Sequence, residues 1–307
     1  MSLLVVGSLA LDTIETPFGQ VTDALGGSAT YFSASACHFH PVQLVGVVGG
    51  DFPLDQLDFL AKRGVDLAGL ERAEGESFRW SGVYSHDLNN PETRQTRLGV
   101  FADFRPRIPD EFRNARWVFL ANIDPDLQHE VLDQVRSPRL VACDTMNYWI
   151  ESKRESLLAL LPRVDALFIN DSEIRKFTGD HNLVRAARWV QERGPSIVVV
   201  KKGEHGAMLF HEDSLFFAPG YPLEDVFDPT GAGDSFAGGF LGYIANVGGT
   251  EPATLRRAMI YGSAMGSFAV ERFSVERLRA IEPSVIHTRV REFQAMTAFE
   301  HALPALV

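Results

Sequence analysis

The stretch Asp228-Pro229-Thr230-Gly231-Ala232-Gly233-Asp234-Ser235-Phe236, leading into Ala237-Gly238-Gly239-Phe240, decides how the rest of the chain is read. Gly231-Ala232-Gly233 offers a turn of nearly bare backbone at a helix start, where free N–H groups and the helix dipole form an anion site. Asp234 follows in the first helical turn, where a carboxylate is stable and can be aimed at whatever the anion site holds. The pairing suits phosphoryl transfer, because the carboxylate accepts a hydroxyl proton while the amides stabilise equatorial phosphate oxygens. Pro229 stiffens the approach by fixing its own φ. An isolated Gly-Ala-Gly-Asp would be explained well enough as an aspartate capping a glycine-rich turn, so the surroundings carry weight.

Outward from this stretch, short β-branched runs alternate with amphipathic segments of helical length. Strands are expected at 3–7, 43–48, 117–121, 140–144, 166–170 and 197–201, several of them apolar on successive residues, as parallel strands covered on both faces are. Helices are expected near 28–39, 54–62, 126–135, 151–161 and 183–192, which makes a parallel sheet with helices on both sides. Segments 207–211 and 215–218, joined by Glu212-Asp213-Ser214, read as an antiparallel hairpin beside it. Segments 13–25 and 78–104 break the rhythm; within the second, 79–84 and 93–101 alternate as antiparallel strands with one wet face do. They are expected to fold together as a lid over an active site, the alternative being a surface flap. With no repeat, low-complexity tract or linker, residues 1–307 read as one domain carrying these two insertions.

The 307 residues are 45% hydrophobic and 22% charged, a composition that buries a full core. Twenty-nine basic against forty acidic residues give a net charge of −11, which excludes a general nucleic-acid or anionic-membrane surface. The longest uncharged stretch, 235–250, is too short and too rich in glycine to span a bilayer. The first residues carry no basic start before an apolar core, so a cytoplasmic location is expected. Cys37 and Cys143 have neither Cys-x-x-Cys nor zinc spacing and read as buried reduced thiols. His38 and His40 bracket Phe39 on a mostly apolar helix and read as core or surface residues rather than ligands. There is no Walker A loop, dinucleotide glycine fingerprint, His-Glu-x-x-His or Gly-x-Ser-x-Gly.

Asp-x-Thr-Gly-Ala-Gly-Asp followed by Phe and small residues resembles the C-terminal signature of the ribokinase-like (PfkB) carbohydrate kinase family, and the resemblance extends over nearly the whole chain. It implies an α/β fold of the ribokinase-like kind, a three-layer α/β/α sandwich with a mainly parallel central sheet and a small antiparallel β lid. It implies Asp234 as catalytic base and Gly231, Ala232 and Gly233 as the anion hole. Gly26-Gly27-Ser28-Ala29 is similar to the family's N-terminal Gly-Gly motif, which approaches the substrate and hinges the lid. Gly7-Ser8-Leu9-Ala10-Leu11-Asp12 is similar to its strand end, placing Asp12 at the carboxyl end of the first strand, where it binds substrate hydroxyls or, alternatively, caps the turn into the lid. Asn170-Asp171-Ser172-Glu173 resembles the Asn-x-x-Glu motif: Asn170 meets a nucleotide phosphate and Glu173 holds Mg2+ through water, the alternative being a helix cap built from the same two residues.

The run 197–201 into Lys202-Gly203-Glu204-His205-Gly206 matches the family's strand and Gly-x-x-Gly loop at the nucleotide phosphates, with Gly203 and Gly206 in the loop. Either Lys201 or Lys202 supplies a positive charge there, the other being a surface lysine. Ser263 stands where relatives often carry Asn-Ala against the adenine. Ser28-Ala29-Thr30-Tyr31-Phe32 departs from the Gly-x-Gly-Ala-Asn of ribokinases proper, so a sugar-binding asparagine is missing and ribose is not the default substrate. The resemblance implies ATP as co-substrate and Mg2+ as cofactor; it leaves open a monovalent cation near the signature loop and a homodimer through the lid. The expected function is an ATP-dependent kinase acting on an alcohol group of a sugar or sugar-like substrate. The alternatives are a nucleoside kinase of the same fold, with Phe78, Trp80, Tyr84 or Phe101 stacking on a base, and a non-catalytic sugar or nucleotide sensor. Asp234, Asn170, Glu173 and Gly231-Ala232-Gly233 together argue against the sensor, because binding alone needs no base.

Overall fold

Apolar residues at consecutive positions of a strand need cover on both faces of their sheet. In the computed structural model, which describes residues 2–85, 88 and 91–298, the chain provides that cover. Thirteen strands run in chain order among these residues: β1 (Leu3–Val6), β2 (Ala10–Thr16), β3 (Gly19–Gly26), β4 (Val42–Val48), β5 (Val65–Arg72), β6 (Arg79–Val83), β7 (Glu92–Arg97), β8 (Trp117–Leu120), β9 (Leu140–Asp144), β10 (Ala166–Asn170), β11 (Ile197–Lys201), β12 (Ala207–His211) and β13 (Ser214–Ala218). Nine form one sheet in the order β13-β12-β11-β10-β9-β8-β1-β4-β5. Its neighbours are parallel except for β11–β12 and β12–β13, the expected hairpin.

Alternate side chains go to opposite faces. Val5, Phe119, Phe168 and Val199 meet the helices Ser28–Ala36, Ala232–Val247 and Pro252–Ala269. Val6, Leu120, Ile169 and Val200 meet Pro125–Leu132, Asp171–Thr178 and Leu183–Gln191 on the other face. The result is three layers. The edge strand β5 was not anticipated: half-exposed and interrupted by Gly69, it has no continuous apolar run to announce it. The helix expected over 28–39 ends at Ala36, and 151–161 is two helices, Asn147–Ser152 and Arg154–Leu160, broken at Lys153. Residues 54–62 begin as a single 3-10 turn before the helix Asp58–Lys62.

The second sheet has the order β3-β2-β6-β7. Hairpin β2–β3 and the antiparallel pair β6–β7 are joined through a parallel pairing of β2 with β6. The alternation expected over 93–101 stops at Arg97, because Gly99 takes φ 53° and turns the chain into a short 3-10 segment, Gly99–Asp103. There Phe101 stacks between Phe78 and Phe104, each 5.5 Å away. Residues 86, 87, 89 and 90 of the expected segment 78–104, and residues 1 and 299–307 of the expected domain, lie outside the described residues.

One expectation is corrected here. The first strand ends at Val6, and Asp12 is the third residue of β2 in the small sheet. The reason is local: after Gly7, Ser8 and Ser28 clasp each other, each backbone N–H donating to the other's hydroxyl oxygen at 3.2 and 3.0 Å. That clasp carries the chain away from the large sheet before Asp12 is reached.

The helix Ala232–Val247 is held by glycines. A Cβ on Gly238 would run into the Phe32 carbonyl, and one on Gly242 would lie 3.0 Å from the Ala36 carbonyl. On the other side Gly239 rests on the Tyr261 carbonyl at a notional 2.8 Å. These contacts set the depth and rotation of the helix, and therefore where its N-terminus opens. Gly238→Ala is expected to cost about 1–3 kcal/mol despite a gain of roughly 1 kcal/mol in helix propensity, because backbone cannot yield as a side chain can. A thermal melt checks this; an unchanged or higher Tm would mean the helix packs more loosely than described.

Candidate active site

Three adjacent parallel strands end at polar residues after apolar runs: β9 at Asp144, β10 at Asn170, β11 at Lys201. The carboxyl ends of parallel strands are where ligands bind in open α/β sheets. The N-terminus of Ala232–Val247 opens at the same place, with Gly231 as its N-cap at φ 72°, a left-handed conformation that favours glycine. The turn is close to the strand ends: a Cβ on Gly233 would lie 3.0 Å from Lys201 Nζ. Thus Gly231, Ala232, Gly233, Asp234 and Lys201, drawn from two distant parts of the sequence, meet.

Lys201 Nζ donates to Asp144 Oδ2 at 2.6 Å, and the Thr145 N–H donates to Asp144 Oδ1 at 2.8 Å. Asp144 was missed in the sequence; its signal was a carboxylate closing the otherwise apolar strand Leu140-Val141-Ala142-Cys143. Burial disfavours the charge on Lys201, but Asp144, Glu173 and Asp234 outweigh it and raise the ammonium's pKa. Burial first, then the Asp144 charge, pushes Asp234 up to about 7 against the pull of Lys201. The two lysines part in the same geometry: Lys201 pairs with Asp144, while the Lys202 ammonium lies 5.1 Å over the Phe217 ring.

Asn170 and Glu173 form a reciprocal cap on the helix Asp171–Thr178. Asn170 Oδ1 accepts from the Glu173 N–H at 2.8 Å, and Glu173 Oε2 accepts from the Asn170 N–H at 2.8 Å. The capping alternative is therefore realised, without removing Glu173 from the site: buried, and influenced by the charges of Lys201 and Asp144, its carboxyl is pushed up to about 7 by desolvation above all. Among the described residues no three or more His, Cys, Asp or Glu are grouped to hold a metal ion directly. A cation that arrives with a phosphate ligand and keeps its water shell does fit, because the three carboxylates of Asp144, Glu173 and Asp234 are gathered around one ammonium, that of Lys201.

Across the signature turn, Asp228 accepts from the Thr230 N–H and the Ser274 N–H, both at 2.9 Å. The Tyr84 hydroxyl and Thr230 Oγ1 are 3.1 Å apart, and Thr16 Oγ1 donates to the Phe227 carbonyl at 2.9 Å, so the small sheet is tied to the turn twice. Asp12 reaches the same region despite its unexpected strand. Gly27, at φ 91°, donates its N–H to the Asp12 carboxylate, and the carboxylate fills the space a Cβ on Gly26 would take. Gly203 and Gly206 take positive φ in the turn between β11 and β12, closed by the Lys202 N–H donating to the Gly206 carbonyl at 2.8 Å. The Ser263 hydroxyl is buried without a partner on Pro252–Ala269, a helix whose Gly266 approaches the Ala232 carbonyl. His38 Nε2 instead pairs with Arg63 and the Leu278 carbonyl, outside the site. Cys143 is buried and Cys37 only partly so; both are free.

Comparison with known proteins now decides the family, since the pfkB family carbohydrate kinase pattern matches residues 2–278. The chain belongs to that family. This pfkB kinase is a phosphotransferase with an alcohol group as acceptor. It is 30% identical to the cytidine kinase of Thermococcus kodakarensis, across 78% of this chain and 87% of that protein. It is 37% identical to the inositol 3-kinase of Arabidopsis thaliana, across 92% of this chain and 79% of that one. An E. coli protein of the ribokinase II type, solved with ATP and Mg2+, has the same fold at a TM-score of 0.79 and 18% identity, with 95% and 99% of the two chains covered. Among the described residues no helix is long and apolar enough to cross a membrane.

In this kinase the most perturbed carboxyl is that of Asp12, pushed up to about 8 by burial, then by the charge of Asp228. Between pH about 4 and 8 the folded chain keeps a proton that the unfolded chain has released, so Asp12 withdraws stability as pH rises through that window. Asp12→Asn imitates the protonated form at every pH. Its Tm is expected to exceed that of the wild type by about 2–6 °C at pH 8, with a smaller difference at pH 5. Melts at the two pH values check this; a variant less stable at pH 8 would overturn the electrostatic account.

Proposed function

We propose that the protein transfers the γ-phosphoryl group of ATP to a ring hydroxyl of a small sugar-like polyol, with Asp234 as the general base. The observation that carries this is the position of Asp234 directly behind the Gly231-Ala232-Gly233 amides, with Lys201 Nζ a notional 3.0 Å from the Gly233 Cβ position. Asp234 takes the acceptor hydroxyl's proton as its oxygen bonds to the γ-phosphorus; the bond from that phosphorus to the bridging oxygen breaks and ADP leaves. The amides and Lys201 stabilise the charge on the transferring oxygens. Asp12 receives hydrogen bonds from neighbouring acceptor hydroxyls, Gly26 and Gly27 let the backbone come close to it, and Asn170 with Gly203, Gly206 and Ser263 lines the nucleotide side. Mg2+, brought with ATP and held through water near Glu173, would supply charge neutralisation for the phosphates. The small sheet, tied to the signature turn through Thr230–Tyr84 and Thr16–Phe227, serves as a lid that excludes water.

The similarity to an inositol 3-kinase over most of both chains supports a compact polyol acceptor. The similarity to a cytidine kinase supports a second reading, a nucleoside acceptor whose ribose takes the same place. Against a stacking role for every lid aromatic, Phe78 and Phe101 already stack on one another, and the Trp80 ring covers Gly82 within its own sheet. ADP release with ATP and Mg2+ over a panel of myo-inositol, fructose, ribose, cytidine and inosine tests the proposal. No turnover with any polyol or nucleoside would refute it.

Asp234→Asn should lower kcat by about 10²–10⁴-fold with nucleotide binding retained; more than half of wild-type kcat would exclude it as base. In the wild type, kcat/KM should fall about tenfold per unit below pH about 7, as Asp234 becomes protonated. Lys201→Ala removes the charge that holds this pKa down, so the limb of the pH profile should move to higher pH. Glu173→Gln keeps an oxygen for the Asn170 N–H and removes only charge; its magnesium dependence should shift to higher concentration with acceptor KM unchanged. Superimposable magnesium titrations would reduce Glu173 to its cap.

A further inference from the structure

Tyr31 has no role in the reaction as drawn, and its surroundings are costly without one. It is the fourth residue of Ser28–Ala36, its N–H donating to the Gly27 carbonyl at 3.2 Å one turn below the glycine that holds Asp12. The side chain is 1% exposed, and its ring packs so closely on the signature turn that a Cβ on Gly231 would fall into it. Its hydroxyl is buried and has no hydrogen-bond partner in the protein. After burial, the charges that act on that phenol are those of Asp228, Asp12, Tyr84 and Asp234, and together they keep it protonated far above the ordinary range. A buried hydroxyl without a partner is the exception in folded proteins, and one on a ring packed against the signature turn points to a ligand there.

The chemistry of a polyol supplies the missing partner. A ring hydroxyl that gives its proton to a carboxylate such as Asp12 or Asp234 keeps lone pairs on its oxygen, and those need a donor. Lys201 Nζ already donates to Asp144 at 2.6 Å and the Tyr84 hydroxyl oxygen already accepts from Thr230 Oγ1 at 3.1 Å, whereas the Tyr31 hydroxyl has no partner in the protein. We propose that Tyr31 is a specificity-determining residue of the acceptor site, its phenol O–H donating to a ring hydroxyl of the bound polyol. This rests on the acceptor lying between Asp12 and Asp234, as in the proposed function. Tyr31 stands within Ser28-Ala29-Thr30-Tyr31-Phe32, the segment from which an expected asparagine is missing, and offers one neutral O–H at the tip of a rigid ring where an amide would offer an adaptable donor and acceptor.

Tyr31→Phe removes the hydroxyl and keeps the ring on Gly231. With whichever of myo-inositol, fructose and cytidine is turned over, acceptor KM should rise by about 3- to 10-fold, the worth of one neutral hydrogen bond, while KM for ATP stays within twofold. One monodeoxy analogue of that acceptor, lacking the bonded hydroxyl, should bind wild type and variant equally. The variant's Tm should be unchanged or higher, since the lost hydroxyl had no partner in the protein. Independently of turnover, in protein carrying 13Cζ-tyrosine, the resonance absent from Tyr31→Phe should shift when one of the same three probes is added beside a non-cleavable ATP analogue. A shift without turnover by any probe would sustain the Tyr31 contact and refute the kinase reading. Turnover with equal acceptor KM in both proteins and no shift would overturn the Tyr31 contact and leave the kinase reading standing. A lowered Tm with both KM values raised would mean a structural role and also overturns it, as does neither shift nor turnover with any probe.

Discussion

The ammonium of Lys201 lies among Asp144 and Glu173, both buried, and Asp234, partly so, and the candidate site depends on that arrangement. Desolvation above all, and then repulsion between neighbouring carboxylates, pushes Asp12, Glu173 and Asp234 upward. Lys201 is the counterweight that keeps Asp234 and Glu173 from rising further. Its pairing with Asp144 also fixes where the charge sits, at the mouth of the glycine turn, before any ligand arrives. Preorganised charge of this kind needs no rearrangement when phosphate charge develops.

The same acidic surplus makes the empty site unfavourable and the loaded site less so. In the proposed reaction a nucleotide arriving with a divalent cation would bring positive charge to that surplus, and an acceptor's hydroxyls would bring protons for those carboxylates that are ionised. The Tyr31 and Ser263 hydroxyls are likewise buried without a hydrogen-bond partner.

Position is set by backbone rather than by charge. The signature helix lies between Ser28–Ala36 and Pro252–Ala269 with glycines at both contacts, so its N-terminus is fixed to within the tolerance of close-packed atoms. The Ser8–Ser28 clasp ties the first strand's exit to the start of the first helix, and Gly26-Gly27 then returns the small sheet to within reach of Asp12. The small sheet and the signature turn are in contact through Tyr84–Thr230 and Thr16–Phe227, which couples that sheet to the turn.

Local chemistry alone determined a good deal. The apolar runs that became β1, β8, β9, β10 and β11 carry their own evidence of two-sided burial, and Gly231-Ala232-Gly233-Asp234 reads as a candidate anion site because bare amides at a helix start favour anions, the motifs around it adding the weight that the stretch alone lacks. Asn170 and Glu173 were legible both as a cap and as a site, since the two uses require the same spacing. What only the tertiary structure decided was partnership. Lys201 and Lys202 are adjacent and alike in sequence, and they differ only because the pleat sends one toward Asp144 and the other over Phe217. Asp144 carries by itself only the signal of a carboxylate closing an apolar strand, and it gains a partner when β10 and β11 bring Lys201 beside it. Asp12 was placed on the wrong strand because a serine clasp formed across twenty residues leaves no local trace, and β5 and the turn at Gly99 were missed because edge strands and left-handed glycines depend on neighbours for their conformation. Propensity and pattern act over a few residues, whereas charge pairing, close packing and an unpartnered hydroxyl exist only between segments that folding has brought together.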